Sequence, residues 1–383
     1  EHGRLGRLMS TSIAPVQTRS GRPTSFEPAD FAIPTGLEVN WKHTPVRRLA
    51  ALFADEPGDA GAVSYDLDSV EALLTAADEA AVDVFRPEAR AAAVAFRHAP
   101  GRLTVQVPAG EQIDETITIP IVGRDAAARG FGHIVIEALP GSSATIILEH
   151  TGSAQYSQNV EILVRENAHL TVVSVQDWDD DAVHLASHQA RVDAAGFLRH
   201  FVITFGGALV RVNPSVELAG DGSEGELFGL AFADDGQHFE SQVYLHHKGP
   251  RTRGDVLYKG ALQGETARTV WIGGVLIGAE ATGTDSYEAN RNLILTTGAR
   301  ADSIPNLEIE TGDIAGAGHA SATGRFDDEQ LFYLQARGIP EEEARRLVVL
   351  GFLAEIIQRI DDAPLQERLH AAVEAELARG AGA

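Results

Sequence analysis

The sequence contains no cysteine in 383 residues. That absence excludes disulfides, thiol nucleophiles, CxxC redox pairs and thiolate metal sites built by this chain alone. Positive charge is also scarce. Lys and Arg number 31 against 55 Asp and Glu, a formal net charge of -24 with a pI near 4.9. Such a field repels phosphate backbones and anionic lipid, so neither nucleic acid nor a membrane surface is an expected partner. No apolar run approaches the roughly 20 residues of a membrane helix and no signal peptide is visible, which leads to the expectation of a soluble, cytoplasmic protein. Catalytic signatures are missing as well: there is no GxxxxGK[ST], no HExxH and no GxSxG. Gly316-x-Gly318 runs into Ser321 where a dinucleotide fingerprint carries glycine. The chain is expected not to be an enzyme and not to hydrolyse ATP itself.

What is present falls into four stretches. Residues 1–30 are rich in Gly, Ser, Thr, Arg and Pro and are expected to be disordered or an extension, with Glu1 to Leu8 preceding Met9, the single methionine. Residues 31–100 read as a helical segment. Asp68 to Ala80 follows helical spacing through Val70, Leu73, Leu74 and Ala77, and Pro87 to Phe96 is alanine-rich with a proline at its start. Pro100-Gly101 closes it.

Residues 101–326 alternate strand and turn with no helical insertion. Runs beginning at Ile136, Val164, Val192 and Val216 lead into similar turns, spaced by subtraction 28, 28 and 24 residues apart. One strand-turn unit per repeat at that period is the mark of a solenoid. The expected fold is mainly β: a right-handed parallel β-helix core with helical N-terminal and C-terminal segments, a Greek-key sandwich being the alternative. The terminal coils of a solenoid expose unpaired ladder, so helices are expected to cap both ends unless one end meets a partner.

From 327 to 383 the chain reads as helical. Asp327 has the chemistry of a cap answered by Gln330, Gly338 suits a left-handed stop, and Pro340 with Glu341, Glu342 and Glu343 opens the next helix. Leu347 to Ile357 holds one charge, Glu355, in eleven residues, so that helix must be buried, either in its own core or on another protein. A last helix aligns Leu365, Leu369, Val373 and Leu377.

The stretch Thr323-Gly324-Arg325-x-Asp327-Asp328-Glu329-Gln330-Leu331-Phe332-Tyr333-Leu334-x-x-Arg337-Gly338-Ile339, with His319 just before it, resembles the C-terminal signature of the SufB/SufD family, the scaffold subunits of the SUF iron–sulfur cluster assembly system. Asp285-x-Tyr287-x-x-Asn290-x-Asn292-Leu293-Ile294-Leu295 and Pro305-x-Leu307-Glu308-Ile309 are similar to the same family. The likeness covers residues 100 to 360. The missing cysteine and the modest length side with the SufD branch. The resemblance implies a β-helix, a SufB-like partner subunit and a SufC-like ATPase, with a homodimer as the form taken in isolation. It implies no cofactor bound by this chain alone, and a nascent iron–sulfur cluster or iron at the SufB-like interface; without cysteine, the sulfur must come from the partner.

His319 lies among small residues (Gly316, Gly318, Ala320, Ser321, Ala322), which leaves its imidazole reachable. The resemblance makes it the candidate metal or cluster-assembly residue, as an iron ligand or as a proton relay. Leu331, Phe332, Leu347, Val348, Phe352 and Ile356 are the candidates for ATPase docking. His184 and His188 lie on one side of a strand but about 13 Å apart, too far to share a metal. Asp177, Asp179, Asp180 and Asp181 read as a solvated turn. His246-His247-Lys248 with Arg251 and Arg253 read as local charge balancing, and Tyr287, Asn290 and Asn292 as an interior polar ladder. A second function class remains, a β-helix polysaccharide lyase or hydrolase, which requires a row of exposed aromatics along one flank.

Overall fold

The computed structural model describes residues 19–75, 84–326 and 328–381. The repeat seen in the sequence is the coil of a parallel β-solenoid of about 8 turns. One wall stacks the opening halves of the long strands Ile117–Ala138 and Ser143–Val164, then His169–Trp178, Phe197–Thr204, Glu224–Ala233, Arg253–Leu262, Thr284–Ile294 and Ile314–Arg325. The second wall stacks Arg102–Val107, the closing halves of the two long strands, Val183–Val192, Leu209–Leu218 and three split strands, ending in Arg300–Ile304 and Leu307–Ile309. Every coil-to-coil pairing is parallel, which excludes the Greek-key sandwich.

The corner between the walls explains the turn repeat. Gly110, Gly141, Asn167, Ala195, Gly222, Arg251 and Gly283 all have positive φ and form a column. The N–H of each donates to the carbonyl of the residue that precedes its counterpart one coil on, as from Gly141 to Glu166 and from Asn167 to Ala194. By subtraction Gly141, Asn167, Ala195 and Gly222 stand 26, 28 and 27 residues apart, and the strand register aligns Ala138, Val164, Val192 and Leu218, so the motif starts at Ile136 and Val216 lie two residues short of it. The nearby corner at Gly220 is closely packed: a Cβ there would lie 2.0 Å from the Ala194 nitrogen.

Alternation along the strands sends Ile119, Ile121, Ile146, Leu148, Ile162, Val172 and Leu227 inward, where they fill the lumen. The intervening residues of the first wall are also apolar, because that wall is covered on its outside too. Phe201, Ile203, Phe228, Leu230 and Phe232 face outward and meet α3 (Glu341–Ile357) and α4 (Ala363–Ala381) through Val349, Leu353, Ile356, Ile357, Leu365, Leu369 and Val373. Lys259 fastens the cover by donating to the Phe352 carbonyl at 2.7 Å and pairing with Glu355 at 2.5 Å.

The outside of the second wall is covered by the N-terminal segment. Here α1 (Arg90–His98) and a 3-10 helix at Val46–Phe53 pack Trp41, Leu49, Leu52, Phe53 and Val94 on Phe131, Val183, Leu185 and Leu209. A buried pair, Arg211 and Glu240, anchors it, with Arg211 stacked 3.7 Å from the Trp41 ring and both side chains bonded to the Thr44 hydroxyl. Burial opposes the Glu240 charge, yet the Arg211 guanidinium holds its carboxyl down at about 2.

Three expectations change here. Residues 19–30 are packed, Arg19 donating to Glu88 and to the Gln242 carbonyl. The helix expected from Asp68 is a 3-10 turn, Asp68–Leu73, that passes directly into a strand, Leu74–Thr75, paired with Thr104–Val105; residues 76–83 lie outside the described set. The helical segments cover the walls, and the first coil is closed by short antiparallel strands, Val63–Tyr65 on Ile121–Gly123 and Leu74–Thr75. The last coil has no such cover: among the described residues, no strand pairs with the far edge of Ile314–Arg325. The expected cap at Asp327 lies outside the described residues; α2 (Asp328–Gln335) ends before Gly338, which takes the left-handed conformation as expected.

Candidate functional site

The open mouth of the solenoid is built by Ile314–Arg325, a strand made almost wholly of small residues. Its parallel register sets Gly318 on Tyr287, His319 on Glu288, Ser321 on Asn290 and Thr323 on Asn292. In a parallel ladder, alternate residues direct their N–H and C=O to opposite neighbours. The Phe326 N–H bonds back to the Ile294 carbonyl, so even-numbered residues of this strand pair with the coil below. The amides of Ala317, His319, Ser321, Thr323 and Arg325 therefore face the open edge.

Side chains at those odd positions point toward the lumen, since their register partner Ser286 is buried against His247 at 2.9 Å. His319 is consequently a lumen residue that is exposed only because no further coil covers it. Beneath it the lumen turns polar. Asn292 donates to Asn290 Oδ1 at 2.7 Å and to Thr323 Oγ1 at 3.2 Å, Asn290 donates to the Tyr258 carbonyl at 3.1 Å, and Ser321 bonds Ser303 across the mouth at 2.8 Å. The expected ladder is there for both asparagines; Tyr287 instead faces outward and is 48% exposed.

Glu288, directly below His319 in register, was not singled out from sequence. It is 0% exposed, and among the described residues neither carboxyl oxygen has a hydrogen-bond partner, the Asn306 backbone amide exerting only a smaller opposing pull on the carboxyl. Burial pushes its carboxyl up to about 8. The signal was available in principle, because Glu288 shares parity with Asn290 and Asn292, but only the register shows that it stacks under His319.

Deeper in the lumen lie five histidines: His150, His184, His188, His200 and His247, each at most 1% exposed. His150 contacts Gln158 and the Val175 carbonyl at 2.9 Å, His184 contacts Gln176 at 2.6 Å, and His188 contacts His200 at 2.9 Å. Desolvation lowers all five, to about 4 for His150 and His200 and about 3 for His247. His184 and His188 are thus core residues in separate contacts. Among the described residues, no group of three or more His, Asp or Glu is arranged to hold a metal ion.

The docking candidates divide. Ile356 is fully buried on the chain's own wall and Leu331 is 7% exposed, whereas Val348 and Phe352 are half-buried. Phe332 and Leu347 are exposed, at 71% and 41%, beside Tyr333 at 58%. In the basic turn, His247 is interior, Lys248 pairs with Glu217 and Arg251 with Asp221, which is the charge balancing expected. Trp41, Trp178 and Trp271 are all buried, so the tryptophans supply no platform for a sugar chain. No helix among the described residues is long and apolar enough to cross a membrane.

Residues 121–352 match the family model described as SUF system FeS cluster assembly, SufBD core domain. An iron–sulfur cluster assembly SufBD family protein of Mycobacterium leprae is 47% identical over 92% of this chain and 93% of its own length. Its counterpart in Mycobacterium tuberculosis is 46% identical over 92% and 91%. The iron–sulfur cluster assembly protein SufD of Escherichia coli is 28% identical over 91% of this chain and 90% of its own. A second Mycobacterium tuberculosis protein of the family is 29% identical over 54% of this chain but only 24% of its own length. With most of its solenoid inside the family core and 92% of its length aligned to mycobacterial members of 46–47% identity, the chain belongs to the SufBD family of iron–sulfur cluster assembly proteins and fits its SufD-like branch.

Proposed function

We propose that this chain is a non-catalytic scaffold whose open mouth continues into a SufB-like partner solenoid, with His319 at the join as an iron ligand for the nascent cluster. The observation that carries the reading is the bare terminal coil. Five backbone amides of Ile314–Arg325 face outward on a strand of small residues, while both helical segments are spent on the walls. An exposed ladder is a template for strand addition. Natural proteins block such edges with charge, proline or a covering element; here only Arg325, at the end of the strand, carries charge. Strand pairing brings a partner's residues beside an imidazole held in the lumen, and imidazole suits iron as a borderline ligand. This chain has no thiolate, so the partner supplies sulfur.

A SufC-like ATPase docks, in this reading, on the exposed apolar surface of α2 and α3 around Phe332, Tyr333 and Leu347. That moves the docking surface away from Phe352 and Ile356, which pack against the first wall, and from Val348, which is half-buried. The assembly works in the cytoplasm.

Co-expression with the two partners tests both parts. His319→Ala leaves the three-protein complex intact and reduces anaerobic cluster yield at least tenfold. A Phe332→Glu, Leu347→Glu double variant loses the ATPase and keeps the SufB-like subunit. Wild-type cluster yield from His319→Ala, or undiminished ATPase recovery with the double variant, would remove the corresponding part.

A further inference from the structure

Glu288 is hard to account for by packing alone. It is 0% exposed, and among the described residues neither of its oxygens nor Trp271 Nε1 in the same coil has a hydrogen-bond partner; the backbone amide of Asn306, which pulls weakly on the carboxyl, donates to the Gly273 carbonyl at 3.0 Å. An unpaired buried carboxyl is costly, and an apolar side chain of similar size would remove that cost. The opposite wall leaves room for it: a Cβ on Gly273 would lie 2.5 Å from Glu288 Oε2 and 2.2 Å from the Trp271 ring. A side chain at residue 273 would crowd the place this carboxyl takes.

The strand register supplies a reason. Glu288 and His319 are direct partners in a parallel ladder, so their side chains emerge on the same lumen face about 4.8 Å apart at the backbone. Neighbouring polar groups of the mouth bond one another, Asn290 with Asn292, Asn292 with Thr323, and Ser321 with Ser303, and the Trp271 indole, also unpaired among the described residues, is a donor only. Glu288 is the acceptor left over beneath the imidazole. Histidines that bind metal almost always donate their other ring N–H to a carboxylate or carbonyl, which fixes the tautomer and strengthens the ligand.

We propose that Glu288 is the positioning carboxylate of His319: when a partner closes the mouth, it accepts one ring N–H and so turns the other ring nitrogen toward the iron. This rests on the role of His319 given above. The strain is borne by the free chain and relieved in the assembled one, as expected of a group kept for function.

Anaerobic calorimetry with Fe(II) on the complex with the SufB-like subunit is the test, paired with thermal melting of the free chain. Glu288→Leu weakens Fe(II) binding about 10- to 100-fold. Glu288→Gln, whose amide oxygen still accepts the ring N–H, stays within a few-fold of wild type. Both free variants melt at or above the wild-type temperature, whereas a merely structural carboxyl would lower it. Wild-type Fe(II) affinity in Glu288→Leu, with His319→Ala weakened, overturns the proposal and leaves the His319 reading standing. Wild-type affinity in His319→Ala overturns both.

Discussion

Ser321→Pro leaves the isolated chain folded and abolishes its pairing with a SufB-like subunit. The Ser321 N–H faces the open edge, so proline there removes no backbone hydrogen bond of the free chain, only the exposed side-chain bond to Ser303, and edge strands tolerate proline for this reason. In the joined state the same amide bonds to the partner, and the ring obstructs the approaching backbone. Each edge hydrogen bond contributes about 1 kcal/mol net, and a blocked ladder loses several, so affinity falls by about 100-fold or more. Ala320→Pro gives the converse. Its N–H points back to the preceding coil, and its loss leaves a ladder carbonyl unpaired, which costs the free chain about 1–3 kcal/mol. Pull-down together with melting of the two variants reads both effects; equal behaviour of the pair would refute the assigned direction of the edge.

Acidification from pH 7 to 5 strongly destabilises the fold. Each of the five lumen histidines stays neutral in the folded chain and takes up a proton when unfolded. Their stabilising contribution is complete above about 6.5 and is lost as pH falls through the folded-state values, about 4 for His150 and His200 and about 3 for His247, with His184 and His188 lowered by the same burial. Two carboxyls act in the opposite sense. Burial raises Glu288 to about 8 and Glu376 to about 7, so each costs stability as pH rises from about 4.5 through those values. Between about pH 4.5 and 6.5 the lowered histidines outnumber the two raised carboxyls, so unfolding takes up protons and stability falls as pH falls. Urea midpoints at pH 7, 6 and 5 measure it, and His150→Gln lowers the slope by about one proton. A midpoint that does not move between pH 7 and 5 would contradict the buried, neutral state of these rings.

The solenoid was legible in the sequence because each coil repeats one corner, and that corner needs a residue tolerant of positive φ, as at Gly141, Asn167 and Gly222. The wall coverings were not, since periodicity marks α3 as apolar without saying what it lies on. Val348, Phe352 and Ile356 were docking candidates, yet the stripe buried on the chain's own wall is Val349, Leu353, Ile356 and Ile360, set by Phe201 and Phe228 more than 120 residues earlier in the chain. His319 was recognisable through its motif, while Glu288 was hidden within a similar motif because only the ladder register stacks the two. The lumen histidines were hidden for the same reason: a histidine in an alternating strand reads as solvent-facing until the chain is known to close around it.

Amide hydrogen exchange across Ile314–Arg325, free and with the SufB-like subunit bound, tests the joined-mouth claim most directly. The account predicts that Ala317, His319, Ser321, Thr323 and Arg325 exchange rapidly in the free chain and become protected in the complex, while Gly318 and Ala320 are protected in both. Formation of the complex with those five amides still exchanging freely, and new protection elsewhere, would contradict it.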